Sequence, residues 1–280
     1  MRVLAIDAGN SRIKWGVAEV SAGGASWLRR GWLDTADAAL TGKAWRELPA
    51  PDCIAIANVA GDDVRDALLR TLERYGVAPL WVRGCDEQCG VKSGYADPAQ
   101  LGADRWAGLI AAWRLYGSEG SEGSTGSGGD TGNAGRACVV VNAGTTITVD
   151  ALSHEGVFLG GVIVPGIDLM RASLERGTAQ LKRQPGAFAY FPDNTADAIM
   201  SGALNAAAGA IDRMRDYMAQ GGEGEALIVL SGGAAALIEP RLNAKVVLVD
   251  NLVLEGVLAI ARDAHEAMNA THLNPGGTVK

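Results

Sequence analysis

Short apolar stretches and longer segments with helical periodicity alternate along this chain of 280 residues. In the stretch RIKWGVAEV, Ile13, Trp15 and Val17 fall on one face and polar residues on the other, which predicts a half-buried strand. The same criteria, applied to the first half, predict strands at 3–7, 12–20, 25–33, 53–59 and 79–83 and helices at 36–48, 62–75 and 98–116.

The second half has the same order of elements. It predicts strands at 137–143, 146–152, 156–164, 226–231 and 245–250, and helices at 168–176, 194–218 and 252–268, with a short helix after the fourth strand. Three consecutive strands followed by helices that alternate with further strands are typical of an α/β domain with a mixed sheet. Because this order occurs twice, the sequence predicts two repeated α/β subdomains.

The stretch between the two halves contains almost no residue that a core could bury. Its sequence, GSEGSEGSTGSGGDTGNAGR, predicts a flexible surface linker. The resulting domain prediction is an N-terminal subdomain at 1–116, a linker at 117–136, a C-terminal subdomain at 137–268 and a frayed tail at 269–280.

Charge and composition narrow the function classes. The net charge of -7 argues against non-specific binding to nucleic acid, which needs an excess of Lys and Arg. Cys85 and Cys89 do not form a C-x-x-C pair and have no His cluster near them in sequence, so a metal or redox site is the weaker interpretation and ordinary thiols the stronger. Neither a signal peptide nor a run of eighteen apolar residues occurs, which predicts a cytoplasmic chain without a membrane span.

Two similar turns occur about half a chain apart. Asp7-Ala8-Gly9 is followed by Asn10-Ser11, and Asn142-Ala143-Gly144 is followed by Thr145-Thr146. A glycine lets main-chain amides approach a ligand closely, and amides together with hydroxyls in a tight turn form a site for an anion. Two such turns facing each other would bind two parts of one polyphosphate. Ordinary hairpin turns are the alternative, which the repeat disfavours.

With these turns the sequence resembles the acetate kinase, sugar kinase, Hsp70 and actin superfamily, whose members have two RNase H-like domains in an actin-like ATPase architecture. More narrowly it is similar to the type III pantothenate kinases, the family that includes the Bvg accessory factor proteins. The motifs that carry the resemblance are DAGNSRIKWG, GYADPAQLGADRW, NAGTTITVD, GGVIVPG and NTADAI. The resemblance implies ATP-dependent phosphorylation of pantothenate to 4'-phosphopantothenate, the first step of coenzyme A biosynthesis, by a homodimer.

The resemblance also implies which residues bind ATP. Asp7 would orient Mg²⁺ or a water bound to it, since Mg²⁺ prefers oxygen ligands. Lys14 alternates away from the apolar face of its strand, so it can reach a ligand. The implied ATP and phosphate ligands are Asp7, Ala8, Gly9, Asn10, Ser11, Arg12, Ile13 and Lys14 in the first turn, and Gly144 and Thr145 in the second.

The catalytic base implied by the resemblance is Asp104, in the motif GADR. Phosphoryl transfer needs positioning, charge stabilisation and a group that accepts the proton of the alcohol. The neighbouring Arg105 would hold an anionic group. The implied substrate-binding residues are Tyr95, Gly102, Ala103, Asp104, Arg105 and Thr195; Thr195 would equally serve as a helix N-cap.

One residue departs from the family pattern. Many members have Asp at the position of Asn142, where the carboxylate helps to bind K⁺ or NH₄⁺. A neutral amide keeps an oxygen ligand and loses the charge, so we expect weak or absent dependence on a monovalent cation.

Other functions remain open on the sequence alone: a kinase for another small hydroxy acid or sugar, a non-catalytic accessory or regulatory protein, and an RNase H-like nuclease. A nuclease would need clustered carboxylates for two metal ions. P-loop chemistry is excluded because the motif G-x-x-x-x-G-K-[ST] does not occur.

Overall fold

The structure is a computed structural model that describes residues 1–21, 23–118, 135–177 and 184–272. Most of the 117–136 segment and of the tail lie outside these residues. The strands are β1 (Arg2–Ala8), β2 (Arg12–Ser21), β3 (Gly24–Asp34), β4 (Cys53–Asn58), β5 (Leu80–Trp81), β6 (Glu87–Gln88), β7 (Val91–Ser93), β8 (Cys138–Ala143), β9 (Thr146–Leu152), β10 (Val157–Pro165), β11 (Leu227–Ser231) and β12 (Val246–Leu248). The helices are α1 (Thr41–Ala44), α2 (Asp62–Leu72), α3 (Ala103–Ala112), α4 (Ile167–Gly177), α5 (Thr195–Gln220), α6 (Ala235–Ile238) and α7 (Leu252–His272).

The described chain divides into two compact units. The first contains residues 1–90 and 97–111 and the chain from 253 onward, and the second contains 91–96 and 112–252. Helix α7 therefore belongs to the first unit, although the sequence pattern predicted it in the C-terminal subdomain. The boundaries at 116 and 137 stay a prediction.

The first unit is built on a five-stranded sheet in the order β3-β2-β1-β4-β5. Strands β1 and β2 pair antiparallel, and β1 and β4 pair parallel. Because side chains alternate along a strand, Ile6 and Trp15 point to one face, where they share a core with Leu68 of α2. Truncating a buried Leu or Ile of such a core to Ala costs about 2–5 kcal/mol.

The second unit repeats this topology. Its strands follow the order β12-β11-β8-β9-β10-β7, so that β10-β9-β8-β11-β12 corresponds to β3-β2-β1-β4-β5. Val141 and Val149 form the inner face of the sheet, and Ala207 and Ile211 of α5 belong to the same core. The prediction of an α/β fold with two repeated mixed sheets is confirmed.

Two local predictions were wrong. The helix expected at 36–48 is a 3-10 helix over Thr35–Leu40 followed by the single turn of α1. The φ and ψ angles of Asp37 are not helical. In addition, the Thr41 hydroxyl donates a hydrogen bond to the Ala38 carbonyl at 2.9 Å, and such a side-chain bond competes with the main-chain hydrogen bonds of a regular helix. The polar loop before α3 contains the short strands β6 and β7, which have too few apolar residues to give a strand pattern.

Candidate active site

The first turn is a tight hairpin between β1 and β2. The Gly9 N–H donates to the Arg12 carbonyl at 3.0 Å, and Asn10, Ser11 and Arg12 are exposed. Thr35 supports the turn from outside, because its hydroxyl donates to the Gly9 carbonyl at 2.6 Å and its N–H donates to the Ser11 carbonyl at 3.0 Å. The turn therefore has a defined shape although its side chains face solvent.

The residues on either side of this turn differ in what they can offer a ligand. The side chains of Ala8 and Ile13 are fully buried in the core, so only their main-chain groups can meet a phosphate. Asp7 and Lys14 are directly opposite each other in the β1–β2 register and share the other face of the sheet. An acidic and a basic side chain thus lie together beside the turn.

Asp7 is 7% exposed, and its electrostatics connect it to Asp104. Burial raises the pKa of Asp7 to about 7; Lys14 opposes this rise and the negative charge of Asp104 adds to it. The two carboxyl groups are 97 positions apart in sequence, so this proximity is a product of the fold. The structure brings three predicted residues, Asp7, Lys14 and Asp104, into one electrostatic cluster.

Asp104 lies in the first turn of α3, where a carboxylate interacts favourably with the helix dipole. Its Oδ1 accepts a hydrogen bond from the Arg105 N–H at 2.8 Å. Burial nevertheless raises the pKa of Asp104, since that effect exceeds the opposing hydrogen bonds and the charge of Arg105. Ala103 begins the helix and Arg105 is buried.

Gly102 has no side chain, and this leaves room for the Asp104 carboxylate. A Cβ at Gly102 would lie 2.8 Å from Asp104 Oδ1 and 3.9 Å from Val59 Cγ1. Real Cβ atoms essentially never approach another atom within 3.0 Å. Any larger residue at this position would therefore displace the carboxylate.

The second turn is also a hairpin, between β8 and β9, and other loops pack against it. The Gly144 N–H donates to the Thr146 carbonyl at 3.0 Å, and the Gly166 N–H donates to the Thr145 carbonyl at 2.9 Å. A Cβ at Gly166 would lie 2.3 Å from the Gly144 carbonyl oxygen, so only glycine fits there. Gly144 and Thr145 are exposed, as a ligand-binding turn requires.

Asn142 lies at the end of β8, in register with Thr148 on β9 and Ser231 on β11. These neighbours are all uncharged. Among the described residues, no group of three or more His, Cys, Asp or Glu side chains is arranged to hold a metal ion. The surroundings of Asn142 therefore offer neutral oxygen atoms.

Tyr95 and Thr195 are held in different ways in the second unit. The Tyr95 ring lies 4.9 Å from the Phe158 ring, which fixes its orientation. Thr195 is the exposed first residue of α5. Asn194, not Thr195, caps this helix, because its side chain accepts a hydrogen bond from the Asp197 N–H at 3.0 Å. The alternative of Thr195 as the N-cap was wrong, and its hydroxyl is not used as a cap.

Two residues that contact the first turn were not predicted from the sequence. Thr35 supports the turn, and the Trp32 ring lies 4.4 Å from the Arg12 guanidinium carbon. The Trp32 contact depends on the pairing register of β2 with β3, and the Thr35 contacts depend on the course of the chain directly after β3. No motif in the sequence marked them.

Comparison with known proteins places the chain in a family. A family model described as type III pantothenate kinase matches residues 3–217. A type III pantothenate kinase from Nitrosospira multiformis is 42% identical over 264 residues, which cover 94% of this chain and 92% of that protein. Another from Aromatoleum aromaticum is 44% identical over 261 residues, covering 93% and 98%. The chain belongs to the type III pantothenate kinase family.

All the site residues proposed from sequence lie within the range that matches the type III pantothenate kinase family. A solved structure of a Baf family protein from Campylobacter jejuni superposes with a TM-score of 0.57 at 18% identity, covering 94% of this chain and 99% of that one. At this identity the likeness shows a shared fold. In the part of the chain that the structure describes, no helix is long and apolar enough to cross a membrane.

Proposed function

We propose that the chain transfers the terminal phosphoryl group of ATP to the hydroxyl group of pantothenate, giving 4'-phosphopantothenate and ADP. Membership of the type III pantothenate kinase family supports pantothenate as the substrate and phosphoryl transfer as the reaction. The observation that carries the mechanism is the cluster of Asp7, Lys14 and Asp104 beside an exposed, glycine-containing turn. ATP as the donor implies a cytoplasmic enzyme.

Asp104 is the proposed general base. Burial raises the pKa of its carboxyl group, so the ionised form accepts a proton more readily than an exposed carboxylate does. The hydrogen bond from the Arg105 N–H keeps the carboxylate in one orientation. In the proposed step, the pantothenate hydroxyl loses its proton to Asp104 as its oxygen bonds to the phosphorus and the bond to ADP breaks.

The first turn is the proposed phosphate site. Gly9, Asn10 and Ser11 present main-chain and side-chain groups at the exposed hairpin, and Lys14 and Arg12 supply positive charge on the following strand. Phosphoryl transfer depends mainly on such positioning and charge stabilisation. Gly144 and Thr145 present equivalent groups at the second turn.

Asp7 fits a divalent cation such as Mg²⁺. It is a buried carboxyl group whose ionisation is disfavoured by burial and by Asp104, and a nearby cation would relieve both effects. Asp7 would hold the ion directly or through water, and Mg²⁺ would neutralise charge on the phosphates. For K⁺ or NH₄⁺, Asn142 offers one neutral oxygen, which suits weak binding.

Pantothenate carries a carboxylate, and the buried guanidinium of Arg105 is the proposed partner for it. Gly102 and Ala103 would contact the substrate beside the base, and Tyr95 and Thr195 are proposed as further pantothenate-binding residues. These assignments follow from the family's motifs. The positions of Gly102 and Arg105 beside Asp104 support them.

We further propose a homodimer. The second unit exposes several large apolar side chains: Leu159, Ile163, Tyr190 and Phe191, of which Phe191 is 95% exposed. Exposed apolar groups of this kind are stabilised by association with a partner. Phe191→Asp should shift the chain from dimer to monomer in size-exclusion chromatography with light scattering, whereas Tyr217→Asp, on an exposed position of α5, should leave it a dimer.

The function is tested by incubating the purified chain with ATP, Mg²⁺ and pantothenate. We expect ADP release to depend on pantothenate and mass spectrometry to detect phosphopantothenate. Turnover with another hydroxy acid or sugar, and not with pantothenate, would identify a different kinase. Binding of ATP without turnover of any acceptor would indicate the accessory protein.

A further inference from the structure

Three neighbouring strands place a row of side chains across one face of the first sheet. In the register of β1, β2 and β3, Asp7 is opposite Lys14, and Lys14 is opposite Trp32. Residues that are directly opposite in antiparallel strands point to the same face. Trp32 therefore lies on the same face as the acidic and basic residues of the candidate site.

Arg12 joins this row at the end next to the turn. It lies two positions before Lys14 on β2, so its side chain is on the same face, diagonal to Trp32. The guanidinium carbon is 4.4 Å from the centroid of the indole ring, which is a cation–π contact. The ring is 59% exposed and Arg12 is exposed, so neither is held by burial.

The way in which a guanidinium contacts an aromatic ring determines whether its N–H groups stay available to a ligand. The N–H groups of a guanidinium lie in its plane, whereas the aromatic ring contacts its face. A stacked Arg therefore keeps its hydrogen-bond donors for an anion. Stacking also restricts the rotamers of a long side chain before the ligand binds, so less rotamer entropy is lost on binding.

We propose that Trp32 is a positioning residue for ATP: its ring holds the Arg12 guanidinium beside the first turn, with the N–H groups directed to the polyphosphate. This inference rests on the proposed function, in which the first turn binds phosphate. Trp32 acts through Arg12 and does not itself contact the reacting atoms.

The location of the pair distinguishes it from surface stacking elsewhere. Arg213 lies over the ring of Tyr217 at 5.9 Å on α5, where Tyr217 is 58% exposed. That pair resembles the Arg12–Trp32 pair in exposure and lies near the C-terminal end of α5, at the opposite end of the helix from Thr195. Arg12, by contrast, closes the first turn, because its carbonyl accepts the hydrogen bond from Gly9.

The test uses Trp32→Ala, Trp32→Phe, Arg12→Ala and the double variant, with Tyr217→Ala as the matched control. Calorimetry measures the Kd for ATP and for inorganic tripolyphosphate, and steady-state assays measure KM and kcat. An exposed cation–π contact is worth about 0.5–1 kcal/mol, which corresponds to a two- to fivefold change in affinity.

We expect Trp32→Ala to weaken ATP and tripolyphosphate equally, by about two- to fivefold, and to raise KM with little change in kcat. Trp32→Phe should retain most of the affinity. In the Arg12→Ala background, Trp32→Ala should have no further effect, and Tyr217→Ala should match the wild type.

Three results would overturn the proposal. Equal effects of Trp32→Ala with and without Arg12 would show that the ring does not act through the guanidinium. Weaker ATP binding with unchanged tripolyphosphate binding would show that the ring contacts the nucleoside. Unchanged affinity of Trp32→Ala for both ATP and tripolyphosphate would show that the ring has no role in binding them. Because binding is measured directly, these results differ from a failure of the proposed function, in which no variant, wild type included, would phosphorylate pantothenate.

Discussion

Gly102→Ala tests whether the exact position of the Asp104 carboxylate matters for catalysis. The new Cβ would lie 2.8 Å from Asp104 Oδ1, whereas ordinary contacts begin at 3.4 Å. The carboxylate must therefore move by about 0.6 Å to restore an ordinary contact. Enzyme rates are sensitive to displacements of this size, because a misplacement of about 1 Å already lowers them strongly. Gly102 is not among the residues with positive φ, so Ala adopts its backbone conformation without strain.

We expect Gly102→Ala to lower kcat without lowering the stability of the fold. A misplacement of about 1 Å reduces a rate by about a hundredfold, so we expect kcat to fall by roughly tenfold, or about 1.4 kcal/mol in the barrier. The atom that must yield is the end of a side chain, and replacing Gly with Ala at a compatible position stabilises a protein by about 0.4–1 kcal/mol. Thermal unfolding should therefore show an unchanged or slightly higher Tm.

The assay is pantothenate-dependent ADP release, measured at saturating substrates beside thermal unfolding of the same samples. Gly209→Ala is the control, because Gly209 lies within α5 and a Cβ there has no atom within 4 Å. It should keep the wild-type kcat. A wild-type kcat in Gly102→Ala would refute the reasoning, as would a loss of kcat that is matched by a large fall in Tm.

Three further predictions concern charge. Burial raises the pKa of Asp7 from 3.8 to about 7, so the folded state binds this proton more tightly than the unfolded state. Stability should fall by roughly 4 kcal/mol as the pH rises through that window, and urea unfolding should show no such fall in Asp7→Asn. The His154 ring donates a hydrogen bond from Nδ1 to the Glu223 carboxylate, and this bond together with the negative charge of Glu223 raises the pKa of His154. This stabilisation is complete at acidic pH and is lost as the pH rises through the raised pKa, so Glu223→Gln should flatten that part of the stability profile. In a sodium-free assay, K⁺ should activate the wild type weakly and Asn142→Asp strongly; equally steep activation of both would contradict the proposed effect of the neutral amide.

The repeated topology was predictable because it depends on local patterns. Alternation identified β2, and apolar runs identified β1, β4, β8 and β11. Glycine-containing turns after β1 and β8 then marked corresponding places in the two halves. These signals are contained in stretches of about ten residues, where side-chain periodicity follows directly from backbone geometry.

Features that depend on register or on distant contacts were not predictable. The proximity of Asp7 and Asp104 joins residues far apart in sequence. The contact of Trp32 with Arg12 depends on how β3 aligns with β2, including a bulge between Val17 and Ala18 that shifts the pairing. A one-residue slip would place Trp32 on the opposite face.

The central claim, that Asp104 is the base of a pantothenate kinase, is tested most directly by Asp104→Asn. The isosteric amide cannot accept the proton, although it keeps the shape of the side chain and its hydrogen bond from the Arg105 N–H. We expect pantothenate to stimulate ADP release by the wild type, and Asp104→Asn to lose about a hundredfold or more of this turnover while its Kd for ATP stays unchanged. Turnover by Asp104→Asn at the wild-type rate, or ADP release that pantothenate does not change in the wild type, would contradict the claim.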